Sequence, residues 1–278
     1  MRAPVLPLRD SIRARRRPWV TIALIVVNTA IFVVSLAHGP TTLPDYDTSR
    51  PVAVNGFDRI TLEYGFTPCE LESECTRPDR GEVYRIGATD EDGIADVRVP
   101  HQSVWLTLVT AMFMHGSWLH LIGNMLFLWV FGKAVEDAMP RLAYLLFYLA
   151  CGFAADLTQW FIDTGSDVPN IGASGAISGV LGGYLVLYPR ARVLTGIPLA
   201  PLFLYVAEIP AFLLLFTYFG LQVLSGSAAL VAPEQSFGIA YFAHIGGFVA
   251  GVVLARPMAT RWRRRRRGER ALAAAVRT

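Results

Sequence analysis

The stretch Gly172-Ala173-Ser174-Gly175-Ala176-Ile177-Ser178-Gly179 decides the fold, because it places glycines and two serines at the start of an apolar run. Gly175, Gly179 and Gly183 recur every four residues, so in a helix they share one face. Small residues at this spacing allow two membrane helices to approach closely. The stretch therefore predicts a short membrane-spanning helix with Ser174 at its start, below the membrane surface.

The rest of the chain is also apolar. It has 278 residues, of which 53% are hydrophobic, and its mean hydropathy is +0.42. These values exclude an ordinary soluble domain and are typical of a polytopic membrane protein. A spanning helix needs about 20 apolar residues. Six runs fit spans: residues 19–37, 118–136, 142–161, 174–188, 202–224 and 237–255.

The basic residues predict how these spans are oriented. With six spans, both termini lie on one side, and that side carries most of the basic residues. This pattern is typical of the cytoplasmic side. We predict an all-α membrane protein, a bundle of six transmembrane helices with both termini cytoplasmic. We expect a basic cytoplasmic segment at residues 1–18, a membrane domain at residues 19–256 and a basic cytoplasmic tail at residues 257–278.

A long outer loop, residues 38–117, connects the first two spans. Its last part, residues 103–113, is apolar and aromatic, and it forms either an interfacial helix or an extension of the second span. We favour the interfacial helix, because the extension would make one unusually long helix. Cys69 and Cys75 lie in the same loop, where a disulfide is possible. Cys151 is expected to be a packing residue, and we expect neither a metal nor a cofactor.

The terminal arginine runs lie beside spans. We therefore expect them to bind anionic lipid headgroups rather than nucleic acid. The arginine-rich start resembles a mitochondrial transit peptide, but it can also anchor the first span at the cytoplasmic face. Of 25 basic residues, only Lys133 is a lysine. Given this bias and the compact chain, we favour a bacterial inner membrane.

A histidine in the last span gives Ser174 a possible partner. Polar groups at membrane depth are costly, so they are functional candidates. Ala243, Gly247 and Gly251 form a small face in the last span. If this face packs on the glycines that follow Ser174, His244 can form the hydrogen bond that a serine nucleophile requires. The alternative is a packing motif with a serine that takes no part in chemistry.

The second span and the residues just before it contribute three further polar residues. His120 and Asn124 lie four residues apart, hence on one helix face. Together with the Ser174 backbone N–H they could stabilise an oxyanion. Alternatively, the pair joins helices through hydrogen bonds, and for the pair alone the two interpretations are equal. His115 lies about 140° from His120 around a helix, so we expect it to orient the loop or His120.

Besides Glu136, the last residue of the second span, two acids fall within predicted spans. Asp156 is expected to form an interhelical hydrogen bond, with Gln159 as a candidate partner. Glu208 is expected near the cytoplasmic end of the fifth span. Neither is placed to orient His244, so the sequence predicts a Ser–His dyad and not a triad.

Three separated motifs together resemble the signatures of the rhomboid family of intramembrane serine proteases, and they occur in that family's order. They are Gly172-Ala173-Ser174-Gly175, the set His115/His120/Asn124, and Ala243-His244-Ile245-Gly246-Gly247. Residues 132–137, followed by Tyr144, Tyr148 and Gly152, also resemble the family's pattern. The resemblance runs from about His115 to Gly251.

The resemblance implies a serine-type endopeptidase with a water-filled cavity that opens outward. In it, Ser174 is the nucleophile and His244 the general base, while His120, Asn124 and the Ser174 amide form the oxyanion site. Gly172 shapes the backbone there. Substrates would be single-pass membrane proteins, cut near the outer end of a helix that unwinds readily. Residues 225–236 and the fifth span would form a lateral gate.

The chain departs from the family pattern at two places. Ser178 stands where an aromatic residue commonly stacks on the histidine, and Trp105-Leu106 replaces a Trp-Arg pair. A non-catalytic relative that binds membrane proteins remains an alternative, although such proteins normally lack a reacting group that is present here. A transporter is a third possibility, but it usually shows repeated halves, which this sequence does not.

Overall fold

The computed structural model describes residues 6–39, 41–44, 51–71, 76–77, 81–86, 95–98, 102–166, 168–200, 203–231, 239–262 and 264. The long helices form a bundle, and shorter helices lie in the connection between the first two of them. The helices are α1 (Trp19–Ala37), α2 (Gly56–Tyr64), α3 (Val104–Thr110), α4 (Trp118–Phe127), α5 (Lys133–Ala138), α6 (Arg141–Ile162), α7 (Ser174–Leu187), α8 (Ala211–Val231) and α9 (Tyr241–Met258). A π-helical stretch, Leu128–Gly132, joins α4 and α5 into one helix.

Most of the bundle is long and apolar enough to cross a membrane. Within the described residues, five helices meet this requirement: α1, the joined helix Trp118–Ala138, α6, α8 and α9. Helix α7 is apolar but has only 14 residues. Large apolar side chains point outward on the peripheral helices, for example Val26 (59% exposed) on α1 and Leu224 (66% exposed) on α8. Such an apolar surface is suited to lipid, and the chain is a helical membrane protein.

Helix α7 lies at the centre of the bundle, between α6 and α9. A Cβ atom on Gly247 would overlap the carbonyl oxygen of Gly175 and would lie 2.9 Å from its carbonyl carbon. A Cβ on Gly251 would lie 2.6 Å from the carbonyl carbon of Gly179. On its other side, Gly179 touches Cys151 of α6, which is a buried free cysteine. The predicted contact between the two glycine faces is confirmed, as is the packing role of Cys151.

The described residues include eight strands, so the fold is mostly helical rather than all-α. At one end of the bundle, β1 (Leu6–Asp10), β7 (Arg192–Ala200) and β8 (Phe203–Pro210) form an antiparallel sheet in the order β1-β7-β8. Between α1 and α3 lie the hairpin β2 (Thr41–Pro44) and β3 (Pro51–Val54) and a sheet of β4 (Thr76–Arg77), β5 (Gly81–Ile86) and β6 (Ala95–Arg98).

Strand β8 corrects the predicted fifth span, residues 202–224. Its first part pairs with β7, and the helix begins only at Ala211 and continues to Val231. Pro210 immediately precedes the helix, where it needs no backbone N–H of its own. Glu208 is therefore an exposed strand residue opposite Leu194 and does not lie in a helix. A continuous apolar run cannot distinguish a strand from a helix, which is why the prediction failed.

The segment before α1 and the end of α9 meet at one end of the bundle. Strand β1 precedes α1 and pairs with β7, which follows α7. Ile12 before α1 and Trp262 after α9 line the same cavity. Residues 6–18 and the end of α9 therefore lie at the same end of the bundle.

The Glu136 carboxylate of α5 forms hydrogen bonds with the start of α1. The Glu136 carboxylate is buried and accepts hydrogen bonds from the backbone N–H groups of Val20 (3.1 Å) and Thr21 (2.8 Å). The Thr21 hydroxyl donates to the same carboxylate at 2.8 Å. The first N–H groups of a helix have no partner within it, and a negative charge there is stabilised by the helix dipole. Glu136 thus caps α1 from another helix.

The end of the outer connection is separate from the second span. Helix α3 continues into a 3₁₀ turn, Ala111–Phe113, and Met114 is extended before α4 begins at Trp118. The prediction that residues 103–113 form their own helix is confirmed. Cys69 is buried and disulfide-bonded, whereas Cys75 lies outside the described residues.

Candidate active site

Ser174 and His244 meet at the start of α7 and α9. The Ser174 Oγ lies 2.7 Å from His244 Nε2, and His244 Nδ1 lies 3.0 Å from Gln222 Oε1 on α8. A histidine whose Nδ1 donates to an acceptor leaves Nε2 free to accept a proton from a serine hydroxyl. The sequence placed these two residues on facing helices, and the structure brings them within hydrogen-bonding distance.

Close packing and a side-chain cap hold the two helix ends in place. The contact between Gly247 and Gly175 lies within one turn of both His244 and Ser174. Gln159 Oε1 accepts a hydrogen bond from the backbone N–H of Ala243 at 3.3 Å, which satisfies an otherwise free donor at the start of α9. Gln159 therefore caps α9, and the suggested pairing with Asp156 is wrong.

The segment before Ser174 is held from three directions. Asn170 and Phe66 exchange two backbone hydrogen bonds of 2.7 and 3.2 Å, which join this segment to the outer connection. Asn170 Nδ2 donates to Asp156 Oδ1 at 2.7 Å, and Gly172 N donates to Ala111 O at 2.9 Å. Asp156 thus orients the serine segment and does not contact His244.

Gly172 has a conformation and a location that only glycine fits. Its φ is +127°, a backbone region that side chains strongly disfavour. A Cβ there would lie 2.8 Å from His120 Nε2 and 3.6 Å from Ser174 Oγ. The backbone of Gly172 therefore lies between the imidazole and the serine, and its small size lets His120 approach the site.

His120 is oriented by its neighbours. The Gly116 N–H lies 3.5 Å from His120 Nδ1, at the outer limit of a hydrogen bond, and this contact favours the proton on Nε2, the nitrogen that approaches Gly172. The His115 ring packs edge-on against His120 with centroids 5.1 Å apart. Burial lowers the pKa of His115 to about 3, so this ring is neutral. As expected, His115 contacts His120.

Asn124 lies one turn further along α4 and is buried. Among the described residues, its Nδ2 has no hydrogen-bond acceptor. A buried amide donor without a partner is costly, so its retention points to a ligand group that uses it. Asn124 does not line the cavity described next.

A cavity of about 640 Å³ adjoins the serine and histidine. Its lining includes Ser174, His244 and His120, together with Asn170 from the serine segment and Ile239 before α9. The Ser174 side chain is therefore accessible from this cavity. Within the described part of the chain, no group of three or more His, Cys, Asp or Glu side chains is arranged to hold a metal ion.

Sequence analysis missed two residues of α8. Besides Gln222, Tyr218 contributes a hydroxyl that lies 2.7 Å from Ser178 Oγ. Ser178, in place of an aromatic residue, thus binds a tyrosine from another helix. Tyr218 and Gln222 are polar residues four positions apart in an apolar helix, and this spacing is the signal by which the sequence could have indicated them. Tyr241 and Phe242, the aromatic residues just before His244 in the sequence, pack beside Gly226 of α8.

Comparison with known proteins agrees with this geometry. A family model described as the Rhomboid domain matches residues 102–261, which is more than half of the chain. The chain belongs to the rhomboid family. It is 26% identical over 242 residues to RHOMBOID-like protein 6, mitochondrial, of Arabidopsis thaliana, a match that covers 85% of this chain and 67% of that protein.

Two shorter matches are closer in sequence. The chain is 38% identical over 89 residues to the chloroplastic Rhomboid-like protein 11 of Arabidopsis thaliana, covering 32% of this chain and 31% of that protein. It is 39% identical over 84 residues to the Rhomboid protease GluP of Bacillus subtilis, covering 30% of this chain and 16% of that protein. The chain thus spans less than a third of the length of these two rhomboid relatives.

Proposed function

We propose that this rhomboid is an intramembrane serine endopeptidase with a Ser174–His244 dyad. The observation that carries the proposal is the 2.7 Å distance between Ser174 Oγ and His244 Nε2 at the edge of an accessible cavity. A serine hydroxyl becomes nucleophilic when an adjacent base accepts its proton. The pair has this geometry although the two residues lie 70 positions apart in the chain.

In the first half of the reaction, Ser174 Oγ attacks the carbonyl carbon of the scissile peptide bond, and its proton passes to His244 Nε2. The tetrahedral intermediate carries a negative charge on the former carbonyl oxygen. Three donors support this charge in the proposal: the Ser174 backbone N–H, His120 Nε2–H and Asn124 Nδ2–H. The free amide of Asn124 and the approach of His120 to Gly172 favour this assignment.

The intermediate then collapses. The C–N bond breaks, the leaving amine takes the proton from His244, and an acyl-enzyme remains on Ser174. In the second half, water in the cavity gives a proton to His244 and attacks the ester carbonyl. Breakdown of the second intermediate returns the proton to Ser174 Oγ and releases the new carboxyl end. Residues of this chain perform every step, without a metal or cofactor.

The proposed membrane placement has α7 as a sixth, short span. Its start, Ser174, then lies below the outer surface, and both termini with the β1-β7-β8 sheet lie in the cytoplasm. The arginines at both ends would contact anionic lipid headgroups. We assign the protein to a bacterial inner membrane, an assignment that rests on its composition, since the matched relatives are chloroplastic, mitochondrial and bacterial.

The proposed substrates are single-pass transmembrane proteins. Backbone carbonyls in a helix are already hydrogen-bonded and sterically shielded, so cleavage needs a segment that unwinds readily. The proposed lateral gate consists of α8 and residues 225–236. Residues 225–231 are the last part of α8, and residues 232–236 lie outside the described residues. Helix α8 is largely exposed, which supports this role.

A non-catalytic rhomboid that binds membrane proteins is the alternative function. The cavity beside Ser174 would serve such binding equally well. The observation against it is the hydrogen-bonded Ser174–His244 pair, which binding alone does not require.

Cleavage in liposomes tests the proposal. A single-pass substrate with a glycine-rich outer helix end is incubated with wild type, Ser174→Ala and His244→Ala. We expect cleavage by wild type only, with all three proteins folded. Full activity of folded His244→Ala would exclude the dyad, and cleavage by Ser174→Ala would exclude the nucleophile.

A further inference from the structure

The third member of the hydrogen-bonded chain, Gln222, lies on the proposed gate helix. We propose that Gln222 is a positioning residue whose amide oxygen holds His244 in its reactive tautomer, so that the nucleophile pair is assembled only while α8 is docked. The inference deepens the proposed protease function and rests on it. Gln222 contacts neither Ser174 nor the substrate in this proposal, and it acts through His244.

The geometry selects one tautomer. The amide oxygen accepts a hydrogen bond from Nδ1–H at 3.0 Å, so the lone pair of the neutral imidazole lies on Nε2. That nitrogen faces Ser174 Oγ at 2.7 Å. In the other tautomer Nε2 carries the proton and cannot accept one from the serine. Many serine hydrolases use a carboxylate at the place that Gln222 occupies.

An amide suits this location better than a carboxylate does. An ionised side chain within the bilayer is costly unless it is paired. The amide oxygen orients the imidazole without placing a charge there, and it costs less to bury.

Gln222 reaches His244 through a single face of α8. This face also carries Leu215, which is 1% exposed, Tyr218 and Gly226. The opposite side is open, since Leu224, about 200° around the helix from Gln222, is 66% exposed. The contacts that hold the helix are therefore on one face, and they include the hydrogen bonds Tyr218–Ser178 and Gln222–His244 and the stacking of Phe219 on Phe248.

This arrangement couples gating to chemistry. When α8 moves away from α9, His244 loses the acceptor that fixes its tautomer, so a smaller fraction of the imidazole presents an unprotonated Nε2 to Ser174. When α8 returns behind a bound substrate, the chain Ser174–His244–Gln222 re-forms. The consequence is that the open enzyme has a weak nucleophile.

Two hydrogen bonds on one helix face provide a matched pair of variants. Gln222→Met keeps the length of the side chain and removes the acceptor, whereas Gln222→Glu retains an acceptor oxygen. Tyr218→Phe removes the other interhelical hydrogen bond one turn away without touching His244. The rate at which a fluorophosphonate labels Ser174 is compared among the three in detergent. Nitrogen-15 NMR of histidine-labelled protein reports the His244 tautomer directly, with His244→Asn for assignment.

We expect wild type to show the proton on Nδ1 of His244. Gln222→Met should lose this preference and label about 10-fold more slowly, the effect of one neutral hydrogen bond. Gln222→Glu should label within about 3-fold of wild type, and Tyr218→Phe likewise. A merely structural role would slow both Gln222→Met and Tyr218→Phe and would leave the tautomer unchanged.

A proton on Nε2 in wild type overturns the proposal, and so does wild-type labelling of folded Gln222→Met. If Gln222→Met does not fold, two other results decide the proposal. They are the tautomer of His244 in the wild-type spectrum and the rate at which the probe labels Ser174 in Gln222→Glu. A failure of the protease function looks different, because wild type itself would then not be labelled at Ser174.

Discussion

Replacing Gly247 by alanine should separate the two helices that carry the reactive pair. The added methyl would overlap the Gly175 carbonyl oxygen and lie 2.9 Å from its carbonyl carbon. Carbon atoms in contact are about 3.5–4.0 Å apart, so α7 and α9 must separate by roughly 0.6–1.1 Å. The Ser174–His244 distance of 2.7 Å would then exceed the usual hydrogen-bond range.

We expect two consequences of this separation. A misplacement of about 1 Å lowers rates by about 100-fold, so fluorophosphonate labelling of Ser174 should slow to that extent. Overpacking should also lower the free energy of unfolding by about 1–3 kcal/mol. Both are measured on purified protein in the same detergent, the first as a labelling rate and the second by thermal unfolding.

Gly220→Ala is the matched control. It adds the same methyl to α8, at a position where no described atom lies within 4 Å. We expect this variant to label and melt like wild type. The reasoning is refuted if Gly247→Ala also labels and melts like wild type, because the contact would then not determine the geometry of the pair.

Three further results are expected. His120→Ala should lower the turnover number for cleavage about 10²–10³-fold, as loss of one oxyanion donor does, and an unchanged turnover number would remove His120 from the oxyanion site. Glu136→Ala should lower the free energy of unfolding by about 2–3 kcal/mol, because two N–H groups at the start of α1 lose their acceptor; wild-type stability in a denaturant titration would contradict the cap. Burial lowers the pKa of His115 to about 3 from an ordinary 6.5, so the folded state favours the neutral ring. The contribution of His115 to the free energy of unfolding should therefore be fully present above pH 6.5. It should fall by about 1.4 kcal/mol per pH unit as the pH drops from 6.5 towards 3, and His115→Phe should lack this part of the slope when unfolding is followed against pH. Equal slopes for both proteins would show that His115 is protonated in the folded state.

The pairing of Ser174 with His244 could be predicted because each element had its own signal. The glycine spacing specified a close crossing of two helices, and the polar residues marked the places where burial in an apolar run requires a reason. The limits of α1 also followed from the sequence, since residues 19–37 are apolar and are followed by His38 and Gly39.

The β1-β7-β8 sheet and the role of α8 could not be predicted in the same way. Residues 202–210 are as apolar as a span, and only Pro210 indicated that the helix begins later. Strand β8 forms because β7 provides a hydrogen-bonding partner, and pairing over such a distance is not visible in local periodicity. Gln222 was a single amide in an apolar helix, and its partner His244 was known only once α8 had been placed.

The supporting contacts of the serine segment were also hidden in the sequence. Asn170 bonds to Phe66 and Asp156, which belong to the outer connection and to α6. These contacts depend on how three distant segments meet, so neither spacing nor composition indicated them. The outer connection therefore has a structural role at the site that the sequence analysis did not foresee.

The most direct test of the central claim is the location of a fluorophosphonate adduct. Wild type and His244→Ala are treated with the probe in detergent, digested and analysed by mass spectrometry. The account predicts a covalent adduct on Ser174 in wild type and a much slower adduct in folded His244→Ala. An adduct elsewhere, no adduct in wild type, or equal rates in the two proteins would contradict a nucleophile activated by His244.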